Sequence, residues 1–170
     1  MLTFKEYLLQ EAMDTKTGNY VSIGASFPGL IDKIDIDKEK KNRSPHITLM
    51  YSTDSSHDKD ELEKFLNTNF KDNGIAEVIK AEKFDSDEKD SSCIVLTLKS
   101  PALDKIHKAL KGYGDLKHSY PDFKPHLTLF YDVQVDVATY WVDYINRNLK
   151  KTFIPFKGFE STTIIKDWNK

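Results

Sequence analysis

The sequence predicts an α+β fold with two pseudo-symmetric lobes, whose sheets face a central groove and whose helices lie outside. Three observations lead to this prediction. A histidine-containing octapeptide occurs twice, and the strand and helix patterns around both copies follow the same order. A length of 170 residues suits one domain built from two fused lobes.

The repeated octapeptide is the clearest feature of the chain. Residues 45–52 read PHITLMYS and residues 125–132 read PHLTLFYD, so Pro, His, Thr, Leu and Tyr recur at matching positions. Both segments have the pattern of strands, in which successive side chains face opposite ways. Each His is therefore expected to share a face with its Thr, whereas Tyr51 and Tyr131 are expected to face the core.

The flanking segments give each lobe the order strand, helix, His strand, helix, strand. Pro28 and Pro101 suit first helical turns, and apolar residues at helical spacing predict the helices after each His strand. The first lobe has predicted strands over 19–26 and 75–84 and helices over 28–41 and 58–70. The second has strands over 92–99 and 153–165 and helices over 101–110 and 136–149.

Two polar segments mark the predicted boundaries. The run DSDEKD over 85–90 is expected to be a solvated loop between lobes at about 19–84 and 91–166. Residues 1–12 have the pattern of a short amphipathic helix, and the polar residues after them separate a peptide over 1–18 from the domain over 19–170.

Composition limits the function classes. The net charge is −2, without the basic excess that binding of long nucleic acid requires, so a small phosphate-bearing ligand is favoured. No stretch approaches the ~20 apolar residues of a membrane span. The single cysteine, Cys93, cannot form an internal disulfide, which favours a reducing compartment, and we expect a cytoplasmic protein.

The paired motif points to acid–base chemistry on a phosphoryl group. Two imidazoles, His46 and His126, can take opposite protonation states near neutral pH and serve as general base and general acid. The hydroxyls of Thr48 and Thr128 can donate hydrogen bonds to non-bridging phosphoryl oxygens. A metal site is disfavoured, because each motif supplies a single His and no further ligand at a recognisable spacing. The sequence predicts neither a metal nor a cofactor.

Paired His-x-Thr motifs in a duplicated α+β chain resemble the two-histidine (2H) phosphoesterase superfamily. The resemblance covers about residues 19–166 and is strongest to phage anti-CBASS nucleases that degrade cyclic oligonucleotide signals. It implies that His46 and His126 are the acid–base pair and that Thr48 and Thr128 hold the phosphate. The implied substrate is a cyclic di- or trinucleotide.

Two alternatives stay open at this point. The first is a 2′-5′ oligoadenylate or RNA 2′,3′-cyclic phosphodiesterase. The second is a non-catalytic nucleotide-binding or capsid-internal protein. The N-terminal peptide resembles the capsid-targeting peptides of tailed phages, which are cleaved after a Leu-x-Glu context, here Leu9-Gln10-Glu11. This resemblance implies packaging in a phage capsid, with removal of residues 1–11, and action in the host cytoplasm.

Three further residues are candidates for substrate contact. Tyr20 alternates with apolar neighbours and is expected to reach the groove, Trp168 is a candidate for stacking on a base, and Lys124 is a candidate phosphate contact beside the second motif. The remaining histidines are expected at the surface: His57, His107 and His118.

Overall fold

The computed structural model describes residues 18–87, 89–120 and 122–164, and every structural statement below concerns these residues. The predicted N-terminal helix over 1–12 and the candidate Trp168 lie outside them. The described residues form an α+β domain, as predicted.

Six antiparallel strands and three α-helices make up the domain. The strands are β1 (Gly18–Ala25), β2 (His46–Ser52), β3 (Asn73–Asp85), β4 (Ser91–Lys99), β5 (His126–Gln134) and β6 (Phe153–Ile164). The helices are α1 (Lys59–Asn69), α2 (Pro101–Lys111) and α3 (Val135–Asn148).

The strands follow the cyclic order β1-β2-β5-β4-β3-β6. The two His strands, β2 and β5, meet at a single residue pair, Ile47 and Leu127. The last strand of each sequence half pairs with the first strand of the other half, because β6 lies beside β1 and β3 lies beside β4. This exchange ties the two halves together and leaves the His strands adjacent.

The helices cover one face of the strands and enclose the core. Helix α1 packs on β6, α2 packs on β2, and α3 packs mainly on β3 and β4. Two of the three N-termini are capped by side chains, Asp58 for α1 and Ser100 for α2, which accept hydrogen bonds from first-turn amides. Ile47 and Leu127 are fully buried in this core. Because side chains alternate along a strand, the residues on either side of them point to the opposite face.

The predicted helix over 28–41 is wrong. The segment forms two short 3₁₀ helices, Gly29–Lys33 and Lys38–Lys40, joined by extended residues. The intervening Ile-Asp-Ile-Asp run has weak helix propensity, and the Asp37 side chain accepts a hydrogen bond from the Glu39 amide at 3.0 Å. A local side-chain bond thus replaces the backbone pattern that an α-helix needs.

Both His strands contain a β-bulge directly after the threonine. Opposite β1, Thr48 and Met50 face consecutive residues, so Leu49 is an extra residue of β2. Opposite β4, Thr128 and Phe130 likewise face consecutive residues, so Leu129 is extra in β5. A bulge of this kind reverses the side-chain alternation beyond it.

The bulges correct the predicted placement of one of the twin tyrosines. Met50 and Phe130, which a regular strand would place beside the histidines, are buried in the core. Tyr51 instead lies directly opposite Tyr20 on the face that carries Thr48. Tyr131 interacts with the Thr128 hydroxyl and lies near Tyr20. The expectation that Tyr51 faces the core is therefore wrong, whereas Tyr131 is buried, as expected, and lies next to Thr128.

Candidate active site

The single β2–β5 pair brings the two motifs together. In an antiparallel pair centred on Ile47 and Leu127, the residue before one lies opposite the residue after the other. The two histidines are diagonal neighbours in this arrangement, with Cα atoms about 7–8 Å apart in a regular ladder. Because both central residues face the core, four polar side chains share the opposite face, which we call the groove face: His46, Thr48, His126 and Thr128.

The two imidazoles have the same backbone anchor. His46 Nδ1 lies 2.6 Å from the Ser44 carbonyl oxygen, and His126 Nδ1 lies 2.8 Å from the Lys124 carbonyl oxygen. A carbonyl oxygen only accepts, so Nδ1 carries the proton in both rings, and the lone pair of each neutral ring is on Nε2. A proline follows each anchoring residue and favours an extended backbone there. The repeated Pro-His dipeptide therefore sets the tautomer.

Tyr20 lies beside the first motif. Its hydroxyl is 2.8 Å from Thr48 Oγ1, and its ring meets the His46 ring edge-on with centroids 6.1 Å apart. Burial raises the pKa of Tyr20, so the phenol stays protonated and can donate to Thr48. The side chain is 4% exposed, too little for a base to stack on its face. The structure thus gives Tyr20 a contact with Thr48 rather than an open surface for a base.

His126 lies in a more apolar setting than a surface histidine. The Phe84 ring packs edge-on against it with centroids 5.2 Å apart. Burial lowers the pKa of His126, and the Lys124 carbonyl and the charge of Glu82 oppose this effect. Sequence analysis missed Phe84, although an aromatic residue directly before the polar run over 85–90 was a visible signal.

Lys124 enters the candidate site through its backbone. Its carbonyl anchors His126, while its side chain is exposed. The ammonium group is therefore free to follow a ligand in solvent, and the predicted phosphate contact stays a prediction.

Histidines from the second half of the chain hold the β2 bulge. His107 Nδ1 donates to the Leu49 carbonyl at 2.7 Å, and the Tyr51 amide donates to His118 Nδ1 at 3.2 Å. The expected surface position of both histidines is wrong, because His107 is buried and His118 is half-buried. His57 is half-buried too, and its imidazole hydrogen-bonds Asp115.

The helical pattern of α2 contains the signal for His107. Its apolar residues at i, i+3 and i+7 are Leu103, Ile106 and Leu110, and His107 occupies the i+4 position of the same stripe. This position in the stripe is the signal, missed in the sequence, that the imidazole faces the core.

An asparagine from the first half holds the β5 bulge. Asn42 Nδ2 donates to the Thr128 carbonyl at 2.8 Å, and the Asn42 amide donates to the Leu129 carbonyl at 2.9 Å. Asn42 is 2% exposed, so both carbonyls are satisfied away from water. Each bulge is therefore stabilised by residues of the other half of the sequence.

Among the described residues, no group of three or more His, Cys, Asp or Glu side chains is arranged to hold a metal ion. Within the same residues, no helix is long and apolar enough to cross a membrane.

A family model described as "Anti-CBASS protein Acb1" matches residues 29–151, which include both His strands. The chain belongs to this family. The resemblance to anti-CBASS proteins is thereby confirmed, and with it an anti-CBASS role. No curated protein matches the sequence.

Solved structures share the fold of this Acb1-family chain at low sequence identity. Usb1 of Kluyveromyces marxianus has a TM-score of 0.53 at 8% identity, and the alignment covers 89% of this chain and 99% of that one. The same protein solved with uridine monophosphate has a TM-score of 0.50 at 8% identity, with the same coverage. At this identity the likeness establishes the α+β architecture alone.

Proposed function

We propose that this Acb1-family chain is a metal-independent phosphodiesterase that hydrolyses cyclic di- or trinucleotides. One observation carries the proposal. Two histidines lie on either side of the one residue pair that joins β2 and β5, and they share a face with two threonines. In both histidines Nδ1 donates a hydrogen bond to a backbone carbonyl. A net charge of −2 fits a small ligand better than long RNA.

The two imidazoles would act in opposite senses. We assign His126 as the general base, because burial lowers its pKa and favours the neutral ring with a lone pair on Nε2. His46, protonated on both nitrogens, would be the general acid. The acid limb of the pH–rate profile is then expected below pH 6.5, since protonation of His126 removes the base.

The first step would be an internal transfer. His126 takes the proton of a ribose 2′-hydroxyl, and the 2′-oxygen attacks the adjacent phosphorus while the P–O5′ bond breaks. His46 protonates the departing O5′. The roles then reverse, so that water opens the resulting 2′,3′-cyclic phosphate. Thr48 and Thr128 would donate to the non-bridging oxygens, with Tyr20 orienting the Thr48 hydroxyl through its 2.8 Å hydrogen bond.

A substrate panel tests the proposal. Cyclic di- and trinucleotides, 2′-5′ oligoadenylate and 2′,3′-cyclic nucleotides are each incubated with the protein in excess EDTA, and products are separated by chromatography and mass spectrometry. We expect chelator-resistant turnover of the cyclic di- or trinucleotides. Turnover of one of the other classes alone would support the corresponding alternative phosphodiesterase. Tight binding without turnover would support a non-catalytic nucleotide-binding protein.

The proposed location follows from the proposed substrate. Cyclic nucleotide signals occur in the host cytoplasm, so we propose that the protein acts there. Packaging in a phage capsid is a separate proposal, which rests on the resemblance of the N-terminal peptide to capsid-targeting peptides. Mass spectrometry of purified virions tests it, since packaging with cleavage predicts a chain that begins at Ala12. Virions without any peptide of this protein would overturn the packaging proposal and leave the enzymatic one intact.

A further inference from the structure

Two tyrosines extend the groove face away from the candidate phosphate site. Tyr51 lies directly opposite Tyr20, with ring centroids 6.4 Å apart, and Tyr120 stacks on Tyr51 at 5.9 Å with an interplanar angle of 28°. Tyr20 in turn hydrogen-bonds Thr48. A continuous row of aromatic rings therefore leads from the threonine that would bind phosphate to the rim of the groove.

The rings differ in how much surface they present. Tyr20 is 4% exposed, Tyr51 is half-buried, and Tyr120 is 57% exposed. Tyr120 is thus the member of the row that offers a large aromatic surface to a ligand. Its ring stacks on Tyr51, which belongs to the groove face.

The segment that carries Tyr120 is fixed to β2. The Ser119 amide donates to the Tyr51 carbonyl at 2.8 Å, and the Tyr51 amide donates to His118 Nδ1 at 3.2 Å. The Ser119 hydroxyl bonds Thr53 Oγ1 at 3.2 Å. These contacts follow the β2 bulge, where β2 no longer pairs with β5, so Tyr120 is positioned by backbone hydrogen bonds to β2.

We propose that Tyr120, supported by Tyr51, is the stacking surface for a nucleobase of the substrate and thereby a determinant of its specificity. The inference rests on the proposed nucleotide phosphodiesterase function. A base attached to the phosphate at Thr48 would lie along the aromatic row and stack on the Tyr120 ring, a contact worth ~1–3 kcal/mol. Purines have the larger rings, so the surface favours purine cyclic nucleotides over pyrimidine ones.

Steady-state kinetics with cyclic di-adenylate and cyclic di-uridylate test the inference. For Tyr120→Ala we expect KM for the purine substrate to rise about 5- to 150-fold, the range of one lost stacking contact, with kcat within ~2-fold of wild type. Tyr120→Phe and Tyr120→Trp should restore KM. The rise should be smaller for the pyrimidine substrate.

Tyr140→Ala is the matched control, because Tyr140 is 62% exposed on α3, which carries no residue of the candidate site. It should leave both kinetic constants unchanged. Binding of cyclic di-adenylate to His126→Ala, with and without Tyr120→Ala, gives a readout that does not need turnover.

The outcomes separate the two proposals. If wild type neither binds nor cleaves any cyclic di- or trinucleotide, the proposed function fails and the stacking surface fails with it. If wild type cleaves them and Tyr120→Ala leaves KM and binding unchanged, the stacking surface alone is refuted. A loss of kcat at constant KM would likewise refute it, because stacking on a base distant from the scissile bond contributes to binding.

Discussion

The two His strands present the same chemistry on one face and differ in what holds them from behind. On β2 the bulge after the threonine is held by two imidazoles, whereas on β5 it is held by the amide side chain and backbone of Asn42. The His and Thr on the groove face are thus the same in both strands, whereas the residues that hold the two bulges differ. Both strands carry the paired His and Thr and a bulge after the Thr, while each bulge has its own polar partners.

The difference has a physical consequence. An asparagine side chain has the same hydrogen-bonding groups at any ordinary pH, but His118 can accept from the Tyr51 amide only while Nδ1 is unprotonated. The support of the β2 bulge is therefore sensitive to acid, whereas the support of the β5 bulge by Asn42 is not. The comparison predicts that both histidines are required for catalysis. It also predicts that the residues supporting the two bulges contribute unequally to the stability of the fold.

The largest expected effect tests the catalytic equivalence. His46→Ala and His126→Ala should each lower kcat at least ~100-fold, because each removes one partner of the acid–base pair. Turnover of the substrate found in the panel measures the loss, with circular dichroism to show that the variants fold. His57→Ala is the control, as His57 bonds Asp115 outside both strands. Near-wild-type turnover in either single variant would contradict the assignment.

The sequence predicted the repeat, the order of strands and the face shared by His and Thr, since all of these depend on local pattern. It could not predict the bulges, because a bulge is a shift in register between two strands, and the residue pattern of one strand does not show that shift. Tyr51 and Met50 therefore exchanged faces relative to the prediction. The position of Tyr120 could not be predicted either, because it depends on hydrogen bonds between distant segments, such as that from the Ser119 amide to the Tyr51 carbonyl.

The second prediction concerns the supports of the bulges. Asn42→Ala removes the side-chain donor to the buried Thr128 carbonyl, keeps the backbone bond to Leu129, and should lower the free energy of unfolding by ~1–3 kcal/mol. His107→Ala should cost more, ~2–4 kcal/mol. It removes the bond to Leu49 and also empties the space beside Phe123, on which the imidazole stacks at 3.9 Å.

Urea unfolding of both variants measures these losses. Asn67→Ala is the matched control for Asn42→Ala, because Asn67 makes a similar bond to a backbone carbonyl on the exposed side of α1. It should change stability by less than ~0.5 kcal/mol. Equal stability of Asn42→Ala and Asn67→Ala would show that the β5 bulge does not depend on its asparagine.

The third prediction concerns the hydrogen bond between Tyr20 and Thr48 in the first motif. Tyr20→Phe removes the hydroxyl bonded to Thr48 and should lower kcat/KM about 3- to 10-fold, the size of one net hydrogen bond. Tyr20→Phe combined with Thr48→Ala should be no worse than Thr48→Ala alone, since both act through one hydroxyl. Additive losses in this double-mutant cycle would show that Tyr20 contacts the substrate independently of Thr48.

The smallest expected effect is the acid sensitivity of the β2 side. Burial, reinforced by the charges of His107 and Lys111, lowers the pKa of His118 to about 4. The unfolded chain therefore binds the proton first as the pH falls, so His118 stabilises the fold above pH 6.5 and loses this contribution between pH 6.5 and 4. Because the side chain is half-buried and partly screened, we expect the change to be ~1 kcal/mol.

His118→Asn isolates this contribution, because the asparagine oxygen can still accept from Tyr51 and does not titrate. Urea unfolding at several pH values between 4 and 7 should give a flatter dependence for His118→Asn than for wild type. Asn67→Ala, which removes no titratable group, is the control and should keep the wild-type slope. An identical pH dependence in His118→Asn and wild type would mean that the β2 bulge tolerates a protonated His118, and the proposed asymmetry between the two strands would then be confined to Asn42 and His107.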